Sequence, residues 1–167
     1  MKHKPLQGIA RFLMKLNNVN ICIVDDEDIY FNTDMLNIAS NAGFNKIDRY
    51  SKIDNLLLSR LQKKPYDIVI LDVQGITEPD VAKDGMQIAS LLSRTTSSYI
   101  VVTSAHQFHL VNNMTKVDYM MENKIQTTVD FLDELIEIVD DFLKKKSSFY
   151  KKVLFKVGFS MLKKSVV

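Results

Sequence analysis

The chain has a single cysteine, which excludes an internal disulfide. Cys22 lies inside the run Ile21-Cys22-Ile23-Val24 and reads as a small buried hydrophobe, a usage that suits a reducing cytoplasm. No stretch approaches the roughly 18 apolar residues that a membrane-spanning helix needs. The N-terminal apolar stretch is interrupted by Arg11, Lys15 and two asparagines, unlike a signal peptide. Internal repeats and low-complexity linkers are lacking too. Acidic residues are missing from both ends: residues 1–19 carry Lys2, Lys4, Arg11 and Lys15, and residues 142–167 carry eight lysines. All 20 acids fall in residues 20–143 against ten of the 22 bases, so a net charge of −10 hides behind the total of +2. Such asymmetry marks interaction tails. What remains is ordinary for a globular protein, 46% hydrophobic and 25% charged, and 167 residues suffice for one core with extensions.

Strand and helix patterns alternate five times. Residues 20–25 read as a strand. Residues 28–42 read as a helix with Ile29, Met35, Leu36, Ile38, Ala39 and Ala42 near one face and Gly43 as its C-terminal cap. Residues 46–50 form a short strand suited to a sheet edge, and residues 52–63 a helix with Ile53, Leu56, Leu57 and Leu61, closed before Pro65. A strand over 67–72, a helix over 84–94 and a β-branched strand over 99–103 follow. A short helix over 106–114, a strand over 117–120 and an amphipathic helix over 126–146 complete the set, the last with Val129, Leu132, Leu135, Ile136, Val139 and Leu143 on one face. This alternation predicts an α/β sheet wound with right-handed crossovers.

Two of the strands end in acid. Ile21–Val24 runs into Asp25-Asp26, and Ile68–Leu71 runs into Asp72. Continuous Val/Ile/Leu runs mark parallel strands buried on both faces, and such sheets bind ligands outside the carboxyl ends of their strands. If the two strands are neighbours, three carboxylates meet in one crevice. Their mutual repulsion favours a divalent cation or a shared proton.

Val24-Asp25-Asp26-Glu27, Leu71-Asp72, Thr103-Ser104-Ala105 and Asp118-Tyr119, in this order and each at or near the end of an expected strand, resemble the receiver domain of two-component response regulators. The resemblance spans roughly residues 20–143. It implies a flavodoxin-like, doubly wound, five-stranded parallel sheet in the order 2-1-3-4-5. It implies that Asp72 accepts a phosphoryl group from a histidine kinase or phosphotransfer protein. Mg²⁺ would be held by Asp26, Asp72 and the backbone carbonyl of Gln74, with Asp25 acting mostly through metal-bound water. Thr103 would hydrogen-bond the attached phosphoryl group. Tyr119 would be the aromatic switch, turning residues 106–114, 117–120 and 126–146 into the surface for a downstream protein partner.

Two departures from the family pattern stand out. Glu122 occupies the place of the lysine that normally follows the strand-five aromatic by three residues. Lys124 reaches that place only through a bulged loop, and Lys83 is a second stand-in. The loop after Asp72 is also longer, reaching its glycine at Gly85 rather than about eight residues on, and it brings Glu78, Asp80, Lys83 and Asp84 towards the rim. Three functions stay open: a phospho-accepting receiver, a degenerate receiver acting as a phosphorylation-independent adaptor, and a Mg²⁺-dependent phosphohydrolase. The hydrolase needs an acid two residues after its nucleophile, where Gln74 stands here and does no proton chemistry near neutral pH.

The expected organisation is a basic extension over 1–19, the receiver over 20–146 and an amphipathic tail over 147–167. Leu6, Ile9, Phe12, Leu13 and Leu16 share one helical face in the first. Lys144-Lys145-Lys146-Ser147-Ser148 reads as a hinge before the tail. At helical spacing Tyr150, Val153, Leu154, Val157 and Met161 share a face opposite Lys152, Lys156 and Lys163, while Phe155, Phe159 and Leu162 form a second apolar stripe. Two stripes favour protein contact, with a partner helix or a second copy of the chain, over an anionic membrane surface. Nucleic acid is disfavoured, since no helix-turn-helix or zinc motif accompanies the lysines.

Overall fold

A computed structural model describes residues 16–44, 46–63, 66–103, 117–121 and 127–164, and the side chains among them up to residue 149. The elements are β1 (Ile21–Val24), α1 (Thr33–Asn41), β2 (Ile47–Tyr50), α2 (Asn55–Gln62), β3 (Ile68–Asp72), α3 (Gly85–Thr95), β4 (Tyr99–Thr103), β5 (Tyr119–Met121) and α4 (Thr128–Lys164). All neighbouring strands are parallel, in the order β2-β1-β3-β4-β5. The expected order and class are thus those of the structure, with the short strand β2 at an edge. The helix expected over 106–114 lies outside the described residues, as do Leu6, Ile9, Phe12 and Leu13 of the N-terminal face and Ser104, Ala105, Glu122 and Lys124, while Leu16 is described and buried.

Each helix start has a local cause. Asn32, Asp54 and Asp84 accept from the backbone N–H groups of Met35, Leu57 and Gln87 at 3.0, 2.7 and 2.9 Å, and Thr127 Oγ1 accepts from Asp130 N at 3.1 Å. These side chains satisfy amides that have no partner within the helix. The first helix therefore begins at Thr33 and not near residue 28. Its end is as expected at Gly43, whose φ of 107° lets Phe44 N reach Ala39 O at 3.0 Å and Gly43 N reach Ser40 O at 3.0 Å. That pair of bonds is a Schellman closure.

The central strands β1, β3 and β4 are buried throughout. Side chains alternate between the faces of a strand. Cys22, Val24, Val69, Leu71, Ile100 and Val102 join Leu57, Leu61, Ile88, Ala89 and Leu92 in one core layer. Burial pushes the Cys22 thiol up to about 12, with Asp48 adding to the effect. On the other face Phe31 meets Phe131 edge to face, with ring centroids 5.7 Å apart.

The buried faces differ from the expected ones in phase. In α4 Phe131, Leu135, Ile138, Val139 and Phe142 are buried, while Val129 is 69% exposed. Positions 131, 135, 138 and 142 follow helical spacing and put two phenylalanines inside, the larger apolar area to remove from water. Ile29 and Leu56 are likewise exposed, Ile29 because it precedes the helix and Leu56 because α2 turns Leu57 and Leu61 inward.

By internal contacts the chain divides into two compact units, Met1–Asp133 and Glu134–Val167. The hinge expected at Lys144–Ser148 is absent, because the backbone is helical from Thr128 to Lys164. Nothing in residues 144–148 breaks a helix: they include no glycine or proline, and Lys144 and Lys145 pair with Asp140 and Asp141 one turn back. The hydrogen bond to Asp140 raises the Lys144 ammonium, which stays protonated.

Candidate functional site

The sheet register builds the site. Val24 pairs with Leu71, so Asp25 and Asp72 follow at the same level on adjacent strands, and Asp72 pairs in turn with Thr103. The three continue the same alternation as Ile23, Ile70 and Val101 and belong to one face of the sheet. Asp25, Asp72 and Thr103 are buried and Asp26 is exposed. One carboxylate oxygen from each of Asp25, Asp26 and Asp72 lies within 4.8 Å of the other two.

Local hydrogen bonds set the carboxylates. Asp25 Oδ1 accepts from Glu27 N at 2.9 Å, closing the turn that presents Asp26. Asp72 Oδ1 accepts from Val73 N at 2.7 Å. Val73 N also reaches Thr103 O at 3.1 Å, and Gly85 N reaches Val73 O at 2.9 Å, which ties the start of α3 to the end of β3. A Cβ at Gly85 would run into the Asp72 carbonyl oxygen, so no other residue fits there without a backbone shift. Gly75 has φ of 74°, and a Cβ on it would fall on the Asp26 carboxylate.

A divalent cation fits this donor set. Mg²⁺ takes hard oxygens at about 2.1 Å, so two oxygens on opposite sides of it stand ~4.2 Å apart, close to the spread found here. The ionised pair Asp25 and Asp72, at 4.8 Å or less, repels by about 3–4 kcal/mol at an effective dielectric constant of 20. A cation removes that cost. Thr103 Oγ1 is buried and has no hydrogen-bond partner among the described residues, although buried hydroxyls are as a rule satisfied. Thr103 stands in register with Asp72 on the neighbouring strand.

The other expected residues are placed as follows. Gln74 is exposed in the turn after β3, and Tyr119 is half-buried on β5 opposite Val101. Lys83 is exposed, and among the described residues it makes no ion pair with the cluster. The long loop is anchored at several points. Ile53 bridges to Thr77, Ile53 N donates to Ile76 O at 2.6 Å, and Asn55 Nδ2 donates to Asp80 Oδ2 at 3.1 Å. Asp84 is committed to capping α3, and Lys83 N to Gln87 Oε1 at 2.8 Å. Two residues at the site escape a reading by motif. Gly75 is one. Arg49 on β2 is the other, holding the β1–α1 turn through Asp28 and the carbonyls of Asp25 and Glu27. The only sequence signal for Arg49 is a base on a short strand in an otherwise acidic span.

No family model matches the chain, and no curated protein matches it. Solved structures do. The N-terminal domain of a response regulator/sensory box/GGDEF three-domain protein from Carboxydothermus hydrogenoformans is 19% identical, with a TM-score of 0.56 over 78% of this chain and 98% of its own. The REC domain of AraT, a response regulator from Geobacillus stearothermophilus, is 16% identical, with a TM-score of 0.56 over 77% of this chain and 98% of its own. A two-component transcriptional regulator from Clostridium phytofermentans is 20% identical, with a TM-score of 0.53 over 78% of this chain and 99% of its own. The fold of this chain is that of a response regulator receiver domain.

Proposed function

We propose that the chain is a phospho-accepting receiver of a two-component phosphorelay. The observation that supports this most is the meeting of Asp25, Asp26 and Asp72 beside the Thr103 hydroxyl, which has no partner among the described residues. Asp72 attacks the phosphorus of a phosphohistidine on a histidine kinase or phosphotransfer protein. The P–N bond breaks, an acyl phosphate forms on Asp72, and the imidazole leaves and takes up a proton. Asp26, Asp72 and the Gln74 carbonyl would hold Mg²⁺, with Asp25 beside them, and the ion would offset the charge on the phosphoryl oxygens. Thr103 Oγ1 then donates to a phosphoryl oxygen. Its shift draws Tyr119 inward and changes the surface offered to a downstream protein. Residues 147–167 extend this receiver as a contact segment, for a partner helix or a second copy of the chain in preference to a membrane.

The decisive experiment adds Mg²⁺ and a small acyl-phosphate donor and measures intact mass. One phosphoryl adduct, absent in Asp72→Ala, supports the receiver. Steady release of phosphate over many turnovers means a phosphohydrolase, which Gln74 disfavours. A second reading, a phosphorylation-independent adaptor, draws on Glu122 standing where a lysine would neutralise the pocket. It predicts neither adduct nor Mg²⁺ uptake. Truncation after Lys146 tests the tail: an unchanged molar mass in solution would sink its role in dimerisation.

A further inference from the structure

We infer that Arg49 is the positioning residue of the acidic turn, preorganising Asp25 and Asp26 for the cation. This rests on the cation reading proposed above. Arg49 pairs in register with Ile23, and the next residue of its strand, Tyr50, accepts from Asp25 N at 3.0 Å. Arg49 therefore sits beside the turn as β1 ends. Its Nη2 donates to the carbonyl oxygens of both Asp25 and Glu27, each at 3.1 Å, and its Nη1 to Asp28 Oδ1 at 2.7 Å. The two carbonyls bracket Asp26. From inside, the same turn is closed by the bond from Glu27 N to Asp25 Oδ1.

These contacts differ in weight. Asp28 is 91% exposed in its side chain against 18% for Arg49. An ion pair to so exposed a carboxylate contributes little. The carbonyl bonds come from a sheltered, charged fork and are the stronger restraint. A restraint is needed, because the turn gathers Asp25, Asp26, Glu27 and Asp28 and presents two of them to Asp72, an arrangement that repulsion opens. Lysine cannot replace the fork, since one ammonium does not span two carbonyls and a carboxylate.

The test uses Mn²⁺ as probe on the full chain, with free Mn²⁺ read by electron paramagnetic resonance and the metal-free fold checked by circular dichroism and urea melts. Groups that orient metal ligands typically change affinity by 10–100-fold, so Arg49→Gln is expected to raise the Mn²⁺ Kd about 10–100-fold. Arg49→Lys keeps the charge and loses the fork, and is expected to raise it by about three-fold or more. A merely structural role lowers the metal-free urea midpoint and leaves the Kd unchanged. A wild-type Kd in either folded variant overturns the role of Arg49, and if Arg49→Gln does not fold, Arg49→Lys decides. Failure of the wild-type chain to take up Mn²⁺ overturns the cation reading itself, and this inference with it.

Discussion

Gly75→Ala separates the cost of folding from the cost of binding. Gly75 sits at φ of 74°, in the left-handed region, and its added methyl would land on the Asp26 carboxylate. Alanine in that backbone conformation costs about 1–2 kcal/mol. The collision adds little, because Asp26 is exposed and the far end of its side chain can rotate outward. For a domain of this size the loss corresponds to a fall in Tm of roughly 2–8 °C. The cation site loses more. Rotation of Asp26 leaves two of the three carboxylates in place, so a rise in Kd of about ten-fold or more is expected. Urea unfolding with and without Mn²⁺ reads both effects. At ten times the wild-type Kd, the ion stabilises the wild type by ~1.4 kcal/mol and a variant with ten-fold weaker binding by ~0.4 kcal/mol. Equal stabilisation of the two by Mn²⁺ would refute the placement of Asp26 over Gly75. An unchanged metal-free stability would refute the conformational argument.

Three further outcomes are expected. Gly85→Ala puts a methyl against the Asp72 carbonyl, a backbone atom that cannot swing aside, and should lower the urea-derived stability by about 2–3 kcal/mol or more, beyond the loss in Gly75→Ala. Asp72→Asn keeps the acceptor for Val73 N and removes one of the repelling charges. It should raise metal-free stability by about 1–2 kcal/mol while weakening Mn²⁺ uptake, and a loss of metal-free stability would contradict the repulsion argument. The Cys22 thiol is raised from 9.0 to about 12, so the folded state keeps its proton where the unfolded state loses it. Its contribution is fully present below pH about 9 and is lost as pH rises from about 9 to 12. A Cys22→Ala variant should show a shallower fall of stability across that window in chemical melts.

The acids themselves were legible from the chain. Asp25-Asp26 and Asp72 end apolar runs, and a run of Val, Ile and Leu is a local signature of a buried parallel strand. Helix caps were legible in part. Gly43 announces the end of α1, but nothing in the sequence marks Asn32 as its start, because a capping side chain and a solvated one look alike in sequence. The phase of burial in α4 was not legible either. Both stripes of that helix are apolar, and the choice between Val129 and Phe131 depends on what each side of the helix meets. The three lysines and two serines at 144–148 suggested a hinge, yet their helix propensities are compatible with the helix that runs through them.

Sequence alone determined the order of the described strands and helices, their α/β alternation and the identity of the carboxylates, since these depend on residues close along the chain. Tertiary structure alone decided which strands are neighbours and in what register, and so which groups meet. Asp25, Asp72 and Thr103 share one level of the sheet because Val24 pairs with Leu71 and Asp72 with Thr103, relations between residues 31 to 47 positions apart. The grip of Arg49 on the acidic turn and the fit of Gly75 under Asp26 arise in the same way, from contacts between segments remote in the chain that only a folded backbone brings within reach.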